Sequence, residues 1–168
     1  MAIDDHPLIV KSIVWATEAD TQAFAEALAG KLRTATPACN ALIQLHGDLG
    51  TGKTTFARHL LKALGVSGRI KSPTYAVVEP YTVEVAATGG TLAIWHFDFY
   101  RFNDPNEWEE AGFRDIFASP GLKLIEWPEK ASQHLPPADL DIHIQLLANE
   151  ARAVVLTAYT FAGAALLP

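Results

Sequence analysis

Apolar residues recur along the chain in short runs that switch between two periods. Leu8-Ile9-Val10 and Ile13-Val14-Trp15 read as a first strand. Behind it Thr17 can cap a helix, with Asp20 at the reciprocal position and Phe24, Ala25, Leu28 and Leu32 on one face. Ala41-Leu42-Ile43-Gln44-Leu45 is almost wholly apolar and runs into a glycine cluster. That is the pattern of a strand covered on both faces, and it predicts a central place in a sheet. Phe56, Leu60, Leu61 and Leu64 then return to helical spacing, with Gly65 placed to end the helix in the left-handed conformation. Residues 66–75 carry turn formers and hydroxyls without a period, and predict a surface loop. Ala76 to Val85 is strand-like, and Gly89-Gly90 turns it into Leu92-Ala93-Ile94-Trp95-His96-Phe97, which predicts an antiparallel hairpin. A helix is expected over 104–118, a short strand at Leu122 to Ile125, and a second hairpin from Asp141 to Leu147 with Ala153 to Tyr159. The apolar stretch Phe161 to Leu167 fits a packed helix, a frayed tail or a partner contact equally well.

Strands and helices that alternate in this way predict an α/β sandwich with a mixed sheet. At 168 residues the expectation is one domain, 1–168, because domains commonly run to about 100–200 residues. With 49% hydrophobic and 19% charged residues the chain has enough apolar material for a core, which excludes a disordered tail. Acids outnumber Lys and Arg by 19 to 13, and a net charge of −6 disfavours unaided binding to a nucleic-acid backbone. Cys39 is the single cysteine, so no internal disulfide and no thiol cluster for zinc are expected, and its reading is structural filler. The start, Met1-Ala2-Ile3-Asp4-Asp5-His6, lacks the cations of an export signal, and no apolar run reaches the roughly 18 residues of a membrane span. A cytoplasmic location without a membrane partner is the default expectation.

The chemistry concentrates in Gly47-Asp48-Leu49-Gly50-Thr51-Gly52-Lys53-Thr54, which fits G-x-x-x-x-G-K-[ST] without a mismatch. A buried strand precedes it and an amphipathic helix follows, the setting in which that string cradles phosphate. Gly47, Gly50 and Gly52 let the backbone turn its N–H groups inward, and the helix beginning near Lys53 adds its positive end. Lys53 reaches the outer phosphates, Thr54 offers a hydroxyl to Mg²⁺, and Thr55 can touch the α phosphate. The competing reading is a glycine turn that only joins strand to helix.

A nucleotide with Mg²⁺ also needs carboxylates at strand ends beside the loop. Asp98 and Glu126 occupy such ends. Each has a plain alternative, as a turn or capping aspartate and as a solvated strand-end glutamate. Alternation sets His96, Asp98 and Tyr100 on one face and Trp95, Phe97 and Phe99 on the other. His96 reads as a hydrogen-bonded sheet histidine before it reads as a ligand, and Trp127 as core before it reads as a base platform. Ser72-Pro73-Thr74-Tyr75 is a turn or a nucleotide-dependent switch contributing Thr74. Arg101 and Arg114 are phosphate clamps or partners of nearby acids such as Asp104 and Asp115.

The loop alone leaves the reaction open. A GTPase should carry an Asn-Lys-x-Asp guanine reader, which is absent. A small-molecule kinase needs a cationic lid, whereas residues 102–121 set Arg114 alone among Asp104, Glu107, Glu109, Glu110 and Asp115. A non-catalytic sensor needs neither Asp98 nor Glu126. Hydrolysis is the preferred reading, with the kinase and the sensor as alternatives.

Four ordered strings resemble the TsaE (YjeE) family of bacterial ATPases. They are Gly47 to Phe56, with Thr51 where alanine is common; Ser72-Pro73-Thr74-Tyr75 with Glu79-Pro80-Tyr81; His96-Phe97-Asp98-Phe99-Tyr100-Arg101; and Ile125-Glu126-Trp127-Pro128-Glu129. The likeness spans roughly residues 15 to 158. It implies a P-loop NTPase-like three-layer sandwich with a mixed, mainly parallel central sheet and antiparallel hairpins. It implies ATP and Mg²⁺ as cofactors, with Lys53 on phosphate, Thr54 and Glu126 on the metal, Asp98 supporting hydrolysis, Trp127 by the nucleotide and Thr74 in a switch. Glu18 and Arg152 would border the base. The implied partners are the TsaD and TsaB proteins, which modify the adenosine beside the anticodon of ANN-decoding tRNAs. A chain that meets tRNA through such partners needs no basic face of its own, which suits the acidic charge.

Overall fold

The computed structural model describes residues 6–34 and 40–168, so Cys39 lies outside the described residues. Seven strands form one sheet: β1 (Ile9–Trp15), β2 (Ala41–His46), β3 (Val78–Val85), β4 (Gly90–Asp98), β5 (Leu122–Glu126), β6 (Leu140–Leu146) and β7 (Arg152–Ala158). Their order across the sheet is β1-β7-β6-β2-β5-β4-β3. The central block β6-β2-β5-β4 is parallel throughout, while β3 and β7 run antiparallel to their neighbours and β1 runs antiparallel to β7. The sheet is therefore mixed, as expected, with the apolar β2 at its centre and both hairpins on the flanks.

The alternation within β2 explains the layers. Ile43 and Leu45 point into a core shared with two helices, α1 (Glu18–Thr34) and α2 (Lys53–Leu64), while Leu42 points the other way into a second core. β5 divides likewise, with Leu122 and Leu124 on the first side and Ile125 on the second. Phe56, Leu60, Leu61 and Leu64 of α2 are buried against the sheet, so the helical stripe in the sequence is the face that packs. Trp15, at the end of β1, stacks on Phe56 with ring centroids 5.5 Å apart. The second core is aromatic: Phe97, Phe99, Phe102, Trp108 and Phe113 gather beneath two short helices, α3 (Pro105–Glu110) and α4 (Phe113–Ala118).

Local signals set the ends of these elements. Asp20 accepts the backbone N–H groups of Ala16 (2.9 Å) and Thr17 (3.0 Å), fixing the start of α1. Gly65, at φ 109°, closes α2 with its N–H on the Lys62 carbonyl. The single helix expected over 104–118 is instead two. Asp104 caps the first, and Gly112, at φ 70°, turns the chain between them. A left-handed residue there ends one helix and re-aims the next, so that Trp108 and Phe113 both reach the same core. The C-terminal stretch resolves as a short helix, α5 (Phe161–Ala165), that buries Gly163 and leaves Phe161 exposed. Thr160 caps it by accepting the Gly163 N–H, and Leu166 and Leu167 are buried behind it. No helix among the described residues is long and apolar enough to cross a membrane.

Candidate functional site

β2 ends at His46 and α2 begins at Lys53, and the intervening loop folds back on itself. The Thr51 N–H and hydroxyl both donate to the Asp48 carbonyl, at 3.3 and 3.0 Å. Gly47, at φ 149°, passes so close to β6 that an added Cβ would lie 2.5 Å from the Ile144 carbonyl oxygen and 2.6 Å from the Thr51 hydroxyl. Only glycine fits there. Arg152 of β7 braces the far side, its Nε donating to the Thr51 carbonyl at 2.8 Å. Gly52, at φ 107°, leads into α2, whose first turn holds no acid. The positive end of that helix is therefore left to whatever the loop encloses. Gly50, at φ 82°, lies at the open crest of the loop, where an added Cβ would meet no atom within 4 Å.

Lys53 and Thr54 turn towards β5. Lys53 is buried, with Nζ donating to the Gly47 and Asp48 carbonyls and standing 4.1 Å over the Trp127 ring. Burial pushes its pKa down, while the carboxylates of Glu126, Glu129, Asp98 and Asp48 oppose that shift. The Thr54 hydroxyl donates to Glu126 Oε1 at 2.6 Å. Glu126 Oε2 pairs with His96 Nε2 at 2.7 Å, and both side chains are fully enclosed. His96 is thus the hydrogen-bonded sheet histidine its position suggested, and its partner is one of the two candidate carboxylates. Trp127 takes the left-handed conformation at φ 55°, a strained position for a bulky residue. It is held by Lys53 above its ring and by Tyr100, 5.0 Å away between centroids. It is half-buried, packed against the edge of the second core on one side and under Lys53 on the other.

Asp98 lies beside Glu126 because β4 and β5 pair in parallel register, Asp98 opposite Glu126. It accepts the Thr74 hydroxyl at 3.1 Å and the Tyr100 N–H at 2.9 Å. Burial drives its pKa up and the Glu126 charge adds to the rise, while those two hydrogen bonds oppose it. Thr74 therefore joins the cluster through Asp98, and Ser72 joins through Thr74 at 2.8 Å.

A cleft opens on the other side of the loop, walled by Trp15, Glu18 and Thr21 from the β1–α1 corner and by Gly52, Thr55 and Arg152 from the loop side. The two residues that only the resemblance had suggested, Glu18 and Arg152, both line this cleft. Glu18 is held by His59 of α2 at 2.9 Å. Trp15 and Thr21 are wall residues that sequence reasoning missed. Nothing local marks them, because β1 reaches the loop only by pairing with β7 at the far end of the chain. Of the two arginines weighed as clamps or ion-pair partners, Arg114 takes a neighbouring acid and Arg101 does not. Arg101 lies over the exposed Tyr75 ring at 4.4 Å rather than on an acid, and Arg114 pairs with Glu109 at 3.0 Å, on the surface and away from the loop.

Residues 15–154 match the family model described as "Threonylcarbamoyl adenosine biosynthesis protein TsaE". The chain is 43% identical over 122 residues to the tRNA threonylcarbamoyladenosine biosynthesis protein TsaE of Haemophilus influenzae, covering 73% of each. To the protein of that name from Bacillus subtilis it is 32% identical over 151 residues, covering 89% of this chain and 87% of the relative. The fold also superposes on the crystal structure of Bacillus subtilis YdiB with a TM-score of 0.71 at 27% identity, covering 94% of this chain and 93% of that one. A glycine loop closed on β6, a Lys-Thr pair aimed at a buried glutamate, and these matches agree: the chain belongs to the TsaE family.

Proposed function

We propose that the chain binds Mg-ATP at the 47–55 loop and hydrolyses it to ADP and phosphate, in support of threonylcarbamoyladenosine formation on tRNA. The observation that carries this reading is the convergence of the Lys53 ammonium, the Thr54 hydroxyl and the Glu126 carboxylate beside a glycine loop that leads into the N-terminus of α2. The backbone of Gly47, Asp48, Gly50, Thr51 and Gly52 encloses the phosphates, Lys53 neutralises the outer pair, and Thr55 meets the inner one. Glu18 and Arg152 border the base in the cleft they share.

Two hard oxygen donors side by side, the Thr54 hydroxyl and the Glu126 carboxylate, are the kind of ligands Mg²⁺ takes. When bound, the ion offsets negative charge on the phosphate oxygens. His96 holds Glu126 in place from behind. Asp98, with its raised pKa, orients the attacking water and takes its proton as the bond from the γ phosphorus to the β–γ bridging oxygen breaks. Thr74, on the same carboxylate, gives the 72–75 segment a direct means to register the γ phosphate.

The partners in this reading are the TsaD and TsaB proteins in the cytoplasm, with tRNA contacted through them. Its support is the family and a net charge of −6, which suits a chain that leaves the tRNA backbone to others. Phosphate release measured on the purified chain, alone and with TsaB and TsaD, tests it. Slow turnover that rises with the partners is expected. Phosphate transferred to a metabolite instead of water would point to a kinase, and no turnover in the full assembly would point to a sensor; either refutes the proposal.

A further inference from the structure

Three metal-ligating side chains meet on the sheet face next to the phosphate loop, and the machinery above uses none of them. His46 ends β2, and Asp141 and His143 lie two residues apart on β6, so the period of a strand puts both on one face. The parallel register of β2 and β6 sets His46 opposite His143 and Gln44 opposite Asp141. The two imidazoles stack with centroids 4.1 Å apart and planes nearly parallel, at 3°. One nitrogen or oxygen from each of the three residues lies within 4.8 Å of the others.

The polar atoms there are incompletely matched. Four buried side-chain nitrogen or oxygen atoms among the described residues lack a hydrogen-bond partner, and two of them are His46 Nε2 and Asp141 Oδ1. They face each other at 3.4 Å without hydrogen-bond geometry. Asp141 is only 8% exposed, so its unmatched oxygen is costly unless a further group binds it. The cluster opens onto a depression lined by Gly47, Asp48, Leu49 and Gln145, which gives an ion a way in and leaves room for water.

We propose that His46, Asp141 and His143 form a binding site for a zinc-type divalent cation. Two imidazole nitrogens and one carboxylate oxygen are a borderline donor set that suits zinc and its neighbours, whereas Mg²⁺ takes oxygen donors and belongs to the Thr54–Glu126 side. Bonds of about 2.0–2.1 Å in tetrahedral geometry put ligand atoms roughly 3.4 Å apart. The ligand atoms, now within 4.8 Å of one another, have to draw together by little more than an ångström on strands whose register already sets them side by side. Solvent completes the coordination from the open side.

The test is equilibrium dialysis of tag-free chain against ZnCl₂ with elemental analysis, in a Cys39→Ser background so that the thiol cannot contribute. One zinc per chain is expected, unaffected by millimolar Mg²⁺. His143→Ala and Asp141→Asn should each weaken it at least tenfold, and His134→Ala, distant on the aromatic core, should leave it unchanged. Circular dichroism confirms that each variant is folded. Cobalt substituted for zinc gives a second readout, its visible bands reporting nitrogen and oxygen ligands. The absence of stoichiometric zinc in the folded parent chain, or zinc retained at parental affinity by both His143→Ala and Asp141→Asn, overturns the proposal.

Discussion

Replacing Lys53 with methionine removes the ammonium while keeping an unbranched side chain of similar length. In the unliganded chain Nζ donates to two carbonyls and rests 4.1 Å over Trp127, so the variant loses those contacts. It also escapes the burial that depresses the lysine pKa, and methionine packs well on an indole. These effects oppose each other, and the net change in stability should stay within about 1 kcal/mol. Binding has no such compensation. A hydrogen bond to a charged group contributes about 1.5–3 kcal/mol. At about 1.4 kcal/mol per factor of ten, loss of one phosphate contact weakens ATP by roughly 10–150-fold. Calorimetric titration with Mg-ATP measures this directly, and intrinsic tryptophan fluorescence, compared with a Trp127→Phe control, isolates the signal from beside the ammonium. Lys62→Met, at the exposed end of α2, makes the same change in net charge and should bind as the parent does. If Lys53→Met bound ATP within threefold of the parent with an unchanged melting temperature, the phosphate contact assigned to Lys53 would be refuted.

Glu126→Gln keeps an acceptor for Thr54 but removes the charge, so hydrolysis in the assembled complex should fall about 100-fold or more while ATP affinity drops less than tenfold; equal losses in both would make the residue a binding group alone. Asp98 carries a charge that its burial disfavours. Its folded-state pKa lies above the unfolded value, so the folded form holds the proton more tightly, and stability falls as pH rises from the usual aspartate range through the raised value. Asp98→Asn should therefore melt higher than the parent at neutral pH, with the gain vanishing in acid, and should lose turnover; an equal shift in melting temperature at every pH would contradict the burial argument. Gly163→Ala places a methyl 1.9 Å from the Asp139 carbonyl oxygen, an overlap that should cost about 1–3 kcal/mol and lower the melting temperature by several degrees.

What sequence revealed and what it hid divide by range. Gly47 to Thr55 was legible because the loop, its strand and its helix are contiguous, and each residue type has a local reason to be there. Asp98 and Glu126 were legible as strand-end acids, but their adjacency was not, because it depends on β4 and β5 pairing in parallel register. The break at Gly112 was missed since a glycine inside a helical pattern reads as tolerated, and only the need to bring Trp108 and Phe113 to one core shows otherwise. Trp15 and Thr21 were hidden for a third reason. Their place at the cleft follows from the outermost strand pairing, between residues at opposite ends of the chain.

That outermost pairing has a consequence for synthesis on the ribosome. Among the described residues β1 pairs only with β7, and Gly47 and Thr51 are shaped by Ile144 and Arg152, so the glycine loop stays unfinished long after its own residues have emerged. A nascent polypeptide stalled before β6 has made every residue of the glycine loop and yet lacks the wall that bends it. Such non-local closure favours late, concerted folding and leaves β1 open to chaperones meanwhile. Competence to hold a nucleotide should therefore arrive abruptly, with the final hairpin.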